Sequence, residues 1–221
     1  MRQSEINTLA QSGSIPQPGL ANSDVKKGIQ QSQRMTEFPL GPKSWLNDKR
    51  LPHGTLLGKT YEGVAAYSND SANSLALEPC RVGDIVTGLP WQCVEFARRW
   101  LLQTHNLIFA DVPIAANLWN DVDCLTQVSD NKTVPLDSHP NGSHSKPFNG
   151  DLLIYSEAFL GTGHVAVVVG HDSDAGVIHV AEQNYFDRPW QGDYCRQIPV
   201  LEVDEHWWLL EPYLNGWKRT H

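Results

Sequence analysis

The hydrophobic period of the chain changes partway along, and this change restricts the possible fold more than any other feature. From residue 92 to about 105, apolar residues recur at intervals of three and four, which predicts a helix with one buried face. Later segments are short β-branched or aromatic runs separated by Gly, Asp and Pro, which predict antiparallel strands. These runs cover residues 152–155, 164–170, 177–181, 197–203 and 207–210. An α+β fold is therefore expected.

Composition changes near residue 51. Residues 1–50 are rich in Gln, Ser, Asn, Pro and Gly and show no helix or strand period, which predicts a flexible polar N-terminal extension. Residues 51–221 are expected to form one folded domain. Within it, residues 110–118 predict a second short helix, whereas 119–145 are polar and rich in turn formers. The tryptophans near the C-terminus, Trp207, Trp208 and Trp217, are expected in the core.

Charge and hydropathy exclude several classes of partner. The formal charge is −8, from 17 Lys and Arg against 25 Asp and Glu, and such an excess of acid would repel a nucleic acid backbone. No apolar run approaches the roughly 20 residues that cross a bilayer, and no secretory signal is evident, so a cytoplasmic protein is expected. The oligomeric state cannot be predicted from these properties.

The four cysteines are widely spaced. They form no CxxC pair, and no histidine pair has zinc-ligand spacing, so neither a disulfide framework nor a metal site is expected. Cys80, Cys124 and Cys195 are interpreted as small packed side chains.

Cys93 differs from the other cysteines because it lies at the start of the predicted helix. The turn formed by Gly88, Leu89 and Pro90 ends just upstream, which places Cys93 in the first helical turn. Unpaired backbone N–H groups and the positive end of the helix dipole lower the pKa of a thiol there. Cys93 is therefore the candidate nucleophile. Gln92 can donate its side-chain amide to an oxyanion, as can the backbone N–H of Cys93.

Residues 164–184 predict a hairpin with its turn near residue 173 or 174. In that register His164 falls opposite Glu182 or Asn184, and all three side chains share one face of the sheet because their numbers have the same parity. A thiol amidase needs an imidazole beside its thiolate and a third group that fixes the imidazole tautomer. His164 is the candidate base, and the parity leaves either Glu182 or Asn184 as its partner.

These segments resemble the CHAP family (cysteine, histidine-dependent amidohydrolase/peptidase), and within it the amidase domain of glutathionylspermidine and trypanothione synthetase/amidases. The nine residues from Trp91 to Arg99, WQCVEFARR, are the most specific part of the resemblance. The other matching segments are GTLLG at 54–58, VAAYS at 64–68, PNGS at 140–143, LLIY at 152–155, GHVA at 163–166, AEQN at 181–184 and GW at 216–217.

The resemblance implies a papain-like fold, in which an N-terminal helix bearing the cysteine packs on an antiparallel sheet bearing the histidine. It implies hydrolysis of the amide between the glycine of glutathione and a polyamine, a small-molecule substrate, without a cofactor or metal. By motif match, Cys93 is the nucleophile, His164 the base and Glu182 the third catalytic residue. Gln92 lies beside the nucleophile at the oxyanion position, while Arg98 and Asn184 match substrate contacts.

Other interpretations of the same residues are open. Members of this subgroup usually carry a C-terminal ATP-dependent ligase domain, and this chain ends at His221, so it is expected to break down the conjugate and not to make it. Other CHAP domains cut peptidoglycan, which makes a cell-wall amidase or endopeptidase the alternative. A further alternative is a catalytically inactive binding module. Arg98 and Arg99 could also be only the solvated face of the helix.

Overall fold

A computed structural model describes residues 51–70 and 78–220. The predicted extension, residues 1–50, lies outside this part of the chain. Strands predominate among the described residues, and no described helix is long and apolar enough to cross a membrane.

Two small hairpins come first in the described chain. They are β1 (Leu56–Lys59) with β2 (Ala65–Tyr67), and β3 (Cys80–Val82) with β4 (Ile85–Gly88). Helix α1 (Cys93–His105), strand β5 (Leu107–Ile108), a 3-10 turn (Ala115–Asn117) and the single-turn helix α2 (Leu118–Asp121) follow. The later strands are β6 (Cys124–Gln127), β7 (Thr133–Pro140), β8 (Leu152–Tyr155), β9 (His164–Asp172), β10 (Val177–Ala181), β11 (Arg196–Val203), β12 (His206–Leu209) and β13 (Leu214–Thr220).

Helix α1 forms because its apolar residues fall on one face. Phe96, Ala97, Trp100 and Leu101 are all buried, at the three- and four-residue spacing of a helix. The helix ends at Asn106, whose φ of 56° is left-handed and whose N–H donates to the last carbonyl groups. This arrangement places the nucleophile candidate at the first helical residue, as predicted.

Nine strands form the main sheet in the order β12-β11-β10-β9-β8-β13-β7-β6-β5, and every neighbouring pair is antiparallel. Successive residues of β9 face opposite sides. Val165 and Val167 pack in one buried cluster with the apolar residues of α1, and Ala166 and Val168 pack in a second cluster with Trp217. The sheet therefore lies between two cores, and α1 covers one of its faces.

Gly163 determines how the chain enters β9. Its φ is +70°, and a Cβ there would lie 2.6 Å from the carbonyl oxygen of Tyr155 and 2.8 Å from the Cβ of Ala116. Only glycine avoids both the strained backbone and the clash. The Gly-His-Val motif thus needs its glycine for a steric reason, because the chain at residue 163 passes between two packed segments.

The α+β class and the five later strands agree with the sequence prediction, with strand ends shifted by at most two residues. Two hairpins precede α1, so the cysteine-bearing helix is not the first element of the domain. The helix predicted at 110–118 is wrong. Ile114 has extended backbone, and only the short 3-10 turn and α2 follow it.

Strands β6 and β7 are not predicted from the sequence, because they lie within residues 119–145, which are polar and rich in turn formers. Most residues of β7 are exposed or half-buried, so the strand lacks the apolar alternation that would have revealed it. Of the three tryptophans expected in the core, Trp217 is fully buried, Trp207 is half-buried and Trp208 is 43% exposed. The expectation is wrong for Trp208.

Candidate active site

Cys93 begins α1 and is 7% exposed. Burial alone would raise the pKa of its thiol. His164 opposes this effect through its charge and a hydrogen bond, and the backbone N–H groups of Val165 and Val94 also donate to the sulfur. The pKa of Cys93 is consequently below its ordinary value. The contact with His164 and the two N–H groups thus favour the thiolate, which is the nucleophilic form.

His164 is the first residue of β9 and is 2% exposed. Its Nε2 lies 2.9 Å from Oε2 of Glu182, which leaves Nδ1 as the ring nitrogen available to Cys93. Burial alone would lower the pKa of His164, but the neighbouring Cys93 and Glu182 raise it to about 9. An imidazolium beside a thiolate is therefore the favoured state of the pair.

The parity of the hairpin left Glu182 and Asn184 both open as the partner of His164, and the structure brings Glu182 into contact. The pairing of β10 with β9 ends at Ala181, opposite Val167, and Glu182 follows directly after β10. Burial would raise the pKa of Glu182, but the charge of Arg196 and the contact with His164 lower it to about 2. Glu182 is thus an ionised acceptor for the imidazole.

Asn184 contacts Gln92 instead. Its Nδ2 donates to Oε1 of Gln92 over 2.9 Å. Among the described residues, no group accepts a hydrogen bond from Nε2 of Gln92. The N–H of Cys93 lies in the first helical turn, where no intrahelical acceptor exists. These two N–H groups belong to adjacent residues at the start of α1, and together they could stabilise an oxyanion formed at Cys93.

Aromatic rings enclose His164. The ring centroids of Tyr155, Phe159 and Tyr185 lie 5.4, 5.8 and 5.4 Å from that of the imidazole. These rings exclude water from the hydrogen bond between His164 and Glu182, and a polar contact is stronger where water is excluded.

Arg196, the first residue of β11, was not predicted as a site residue. Its Nε donates to Oε1 of Glu182 at 2.6 Å, its Nη1 to Glu211 at 2.9 Å and its Nη2 to the Tyr155 hydroxyl at 2.8 Å. Arg196 pairs with Val180 across β10 and β11. That pairing puts Arg196 on the same sheet face as Glu182, but no local sequence pattern predicts it.

A buried polar network lies behind the helix start and was also missed. Both oxygens of Glu95 accept from Arg99, and they accept further bonds from Thr87 and Gln183. Gln183 in turn accepts from Arg99 and from the N–H of Tyr67. The spacing of Glu95 and Arg99, four residues apart on one helix, was the available signal.

The interpretation of Arg98 and Arg99 as a solvated face is wrong, because each is only 8% exposed. Arg98 forms an ion pair with Asp111 over 3.1 Å and donates to the carbonyl of Val86. It contacts none of the other five predicted site residues. The structure thus brings together Cys93, His164 and Glu182 as one group and Gln92 and Asn184 as a pair, with Arg98 farther along α1.

The remaining cysteines have less reactive thiols. All four cysteines are unpaired. Burial raises the pKa of Cys80 to about 11 and that of Cys195 well above its ordinary value, and Asp123 raises the pKa of Cys124. Within residues 51–70 and 78–220, no group of three His, Cys, Asp or Glu side chains is placed to hold a metal ion.

Comparison with known proteins gives a consistent family. A model of the CHAP domain matches residues 84–184, which include all six predicted site residues but not Arg196. The bifunctional glutathionylspermidine synthetase/amidase of Escherichia coli (strain K12) is 36% identical over 184 residues, covering 75% of this chain and 29% of that protein. The protein of the same name from Shigella flexneri gives the same values. Trypanothione synthetase of Crithidia fasciculata is 30% identical over 174 residues, covering 77% and 26%. The chain spans less than a third of the length of these relatives.

Proposed function

The chain carries a CHAP domain, and from that premise we propose that it is a cysteine-dependent amidohydrolase with Cys93 as nucleophile and His164 as base. The observation that carries the proposal is the buried contact between the two. It lowers the pKa of the thiol and raises that of the imidazole, so the pair is poised as thiolate and imidazolium.

In the first half of the reaction, the Cys93 thiolate attacks the amide carbon and the carbonyl oxygen becomes an oxyanion. Nε2 of Gln92 and the N–H of Cys93 stabilise that charge. The imidazolium of His164 gives its proton to the amide nitrogen, the carbon–nitrogen bond breaks, and the free amine leaves. The acyl group remains on Cys93 as a thioester.

In the second half, the neutral His164 accepts a proton from water, and the resulting hydroxide attacks the thioester carbon. Collapse of the second oxyanion breaks the carbon–sulfur bond, releases the carboxylic acid and restores the thiolate beside an imidazolium. Glu182 accepts a hydrogen bond from Nε2 throughout, which keeps Nδ1 directed to the reacting atoms.

We further propose that the substrate is a conjugate in which the glycine of glutathione is joined to a polyamine such as spermidine. The similarity to the glutathionylspermidine synthetase/amidase supports this choice, because the match covers the nucleophile, the base and the neighbouring Gln92. The products would be glutathione and spermidine, with no cofactor.

The surroundings of His164 suit an amine as the leaving group. The departing nitrogen must lie next to His164, which protonates it, and Phe159 and Tyr185 flank that imidazole. The ring of Phe159 also contacts that of Tyr213, and the ring of Tyr185 contacts that of Phe186. Tyr213 is 55% exposed and Phe186 is 53% exposed. Aromatic faces attract alkylammonium groups. Arg196 and Arg188 already lie over Tyr185 and Phe186, so Phe159 and Tyr213 are the rings that we propose for a cationic amine on the side of His164.

Release of spermidine from purified glutathionylspermidine tests the proposal. We expect turnover by the native chain and none by Cys93→Ala, while Cys124→Ala, which removes a thiol away from the site, retains turnover. Peptidoglycan stem peptides serve as the second substrate. Hydrolysis of those peptides without release of spermidine would keep the cysteine chemistry and reject the proposed substrate, whereas no reaction of Cys93 with a thiol reagent would reject the chemistry.

A further inference from the structure

The carboxylate of Glu182 is held from two sides. One oxygen contacts His164 at 2.9 Å and the other accepts from Nε of Arg196 at 2.6 Å, while the carboxylate itself is fully buried. Arg196 is fixed in turn by Glu211 and the Tyr155 hydroxyl, and its guanidinium lies 4.2 Å from the centre of the Tyr185 ring. Every branch of the guanidinium thus has a partner.

His164 alone cannot keep Glu182 ionised through the reaction. The imidazole is a cation only until it gives its proton to the leaving amine, and it is then neutral until water restores the proton. A buried carboxylate next to a neutral imidazole would take up a proton, because burial disfavours its charged form. A guanidinium stays charged at every pH that a protein withstands, so Arg196 supplies a permanent counter-charge.

We propose that Arg196 is a positioning residue of the active site, which keeps Glu182 ionised and directs its second oxygen to His164 during the whole cycle. Arg196 touches neither Cys93 nor the reacting atoms and acts through Glu182. This inference rests on the proposed cysteine chemistry, but it does not depend on which amide the protein cleaves. Residue 196 also lies outside the segment that the CHAP domain model matches.

The test follows alkylation of Cys93 by iodoacetamide as a function of pH, a measurement that needs no substrate. If Arg196 acts as proposed, Arg196→Met lets Glu182 become protonated and weakens the imidazolium. The pH midpoint of Cys93 alkylation then moves upward, and at a pH below both midpoints the rate falls about tenfold for each unit of that shift. Arg196→Lys keeps the charge without the fork and should give a smaller shift.

Arg219 provides a matched control. It is an arginine of similar burial that pairs with the buried Asp151 at 2.6 Å, away from Cys93 and His164. Arg219→Met should leave the alkylation midpoint unchanged even where it lowers stability. If Arg196→Met also leaves the midpoint unchanged, Arg196 is only a structural counter-ion and the proposal fails.

A double variant keeps the test valid if Arg196→Met does not fold. The Glu182→Gln variant has no carboxylate at residue 182, so the additional Arg196→Met substitution leaves no buried charge there without a partner. Because Arg196 acts through Glu182, the double variant should have the same alkylation midpoint as Glu182→Gln alone. A further shift in the double variant would mean that Arg196 acts on Cys93 or His164 by another route and would overturn the proposal. Failure to release spermidine, with these shifts intact, would reject only the substrate.

Discussion

The side-chain amide of Asn184 donates a 2.9 Å hydrogen bond to Oε1 of Gln92, the residue before Cys93, and so holds that amide with its Nε2 as the remaining donor. The family resemblance had suggested Asn184 as a substrate contact. The observed bond gives it a second possible action, which is to orient the oxyanion donor, and the two actions have different kinetic signatures.

Asn184→Ala separates them. An orienting role predicts a roughly tenfold fall in kcat at similar KM, smaller than the roughly 100- to 1,000-fold loss for Gln92→Ala, which removes the donor itself. Steady-state kinetics on the cleaved amide measure both constants. A rise in KM at unchanged kcat would show instead that Asn184 binds the substrate and that its bond to Gln92 contributes nothing to the reaction.

Cys93 should be the one thiol that reacts rapidly in mild acid. The pKa of Cys93 is lowered, whereas those of Cys80, Cys124 and Cys195 are all raised, so the Cys93 thiolate persists to lower pH than the other three. Brief treatment with iodoacetamide followed by peptide mass spectrometry should find the label on Cys93. His164→Ala should slow that labelling strongly, and equal labelling of all four cysteines would contradict the assignment.

Activity should fall as the pH rises through about 9, the pKa of His164. Below that pH the imidazolium holds the proton that the leaving amine needs, and above it the proton is lost. Glu182 is one cause of the raised pKa, so Glu182→Gln should move the alkaline limb of kcat/KM to lower pH. A limb that stays in place in Glu182→Gln would show that Glu182 does not support the imidazolium.

Arg99→Met should destabilise the fold by about 3 to 5 kcal/mol, because it leaves the fully buried Glu95 without its cation. Its neighbour Arg98 is the control, since its partner Asp111 is 76% exposed and remains solvated when Arg98 is removed. Arg98→Met should cost only about 1 kcal/mol. Urea unfolding measures both, and equal losses would mean that the network behind the helix start adds no special stability.

Gly163→Ala should disrupt the entry to β9, and Gly161→Ala isolates the cause. Both glycines have positive φ, but a Cβ at Gly161 meets nothing within 4 Å. Gly161→Ala should therefore cost about 1 to 2 kcal/mol from backbone strain alone. Gly163→Ala should cost about 1 to 3 kcal/mol more from the clash with Tyr155 and Ala116 and should also lower kcat, since it displaces His164. Similar stabilities and activities for the two variants would contradict the steric explanation.

Local patterns in the sequence predicted the parts of the site that lie within one element or one hairpin. Cys93 at a helix start follows from the turn before it, and the shared face of His164 and Glu182 follows from strand parity. The choice between Glu182 and Asn184 could not be made, because the pairing of β10 with β9 ends at Ala181, before either residue. Beyond that point the chain leaves the strand conformation, with Asn184 at a left-handed φ of 57°, and no hydrophobic period signals such a change.

The remainder depends on pairings between distant segments. Arg196 reaches Glu182 because β11 pairs with β10 after an intervening stretch of loop, and no local pattern sets that register. The sequence favours a solvated position for Arg98 and Arg99, because a charged residue is rarely buried without a partner. Their partners, Asp111 for Arg98 and Gln183 among others for Arg99, become neighbours only once the fold is formed.

Three consecutive residues after β10 each contact a different partner: Glu182 contacts His164, Gln183 the network at Glu95 and Arg99, and Asn184 contacts Gln92. A loss or gain of a single residue in this stretch would move all three contacts at once. A change in the length of this stretch during evolution would therefore disrupt the contacts of Glu182, Gln183 and Asn184 together. A point substitution can affect each contact separately. New substrate preferences in this lineage should arise by insertions elsewhere, in loops that carry none of these contacts.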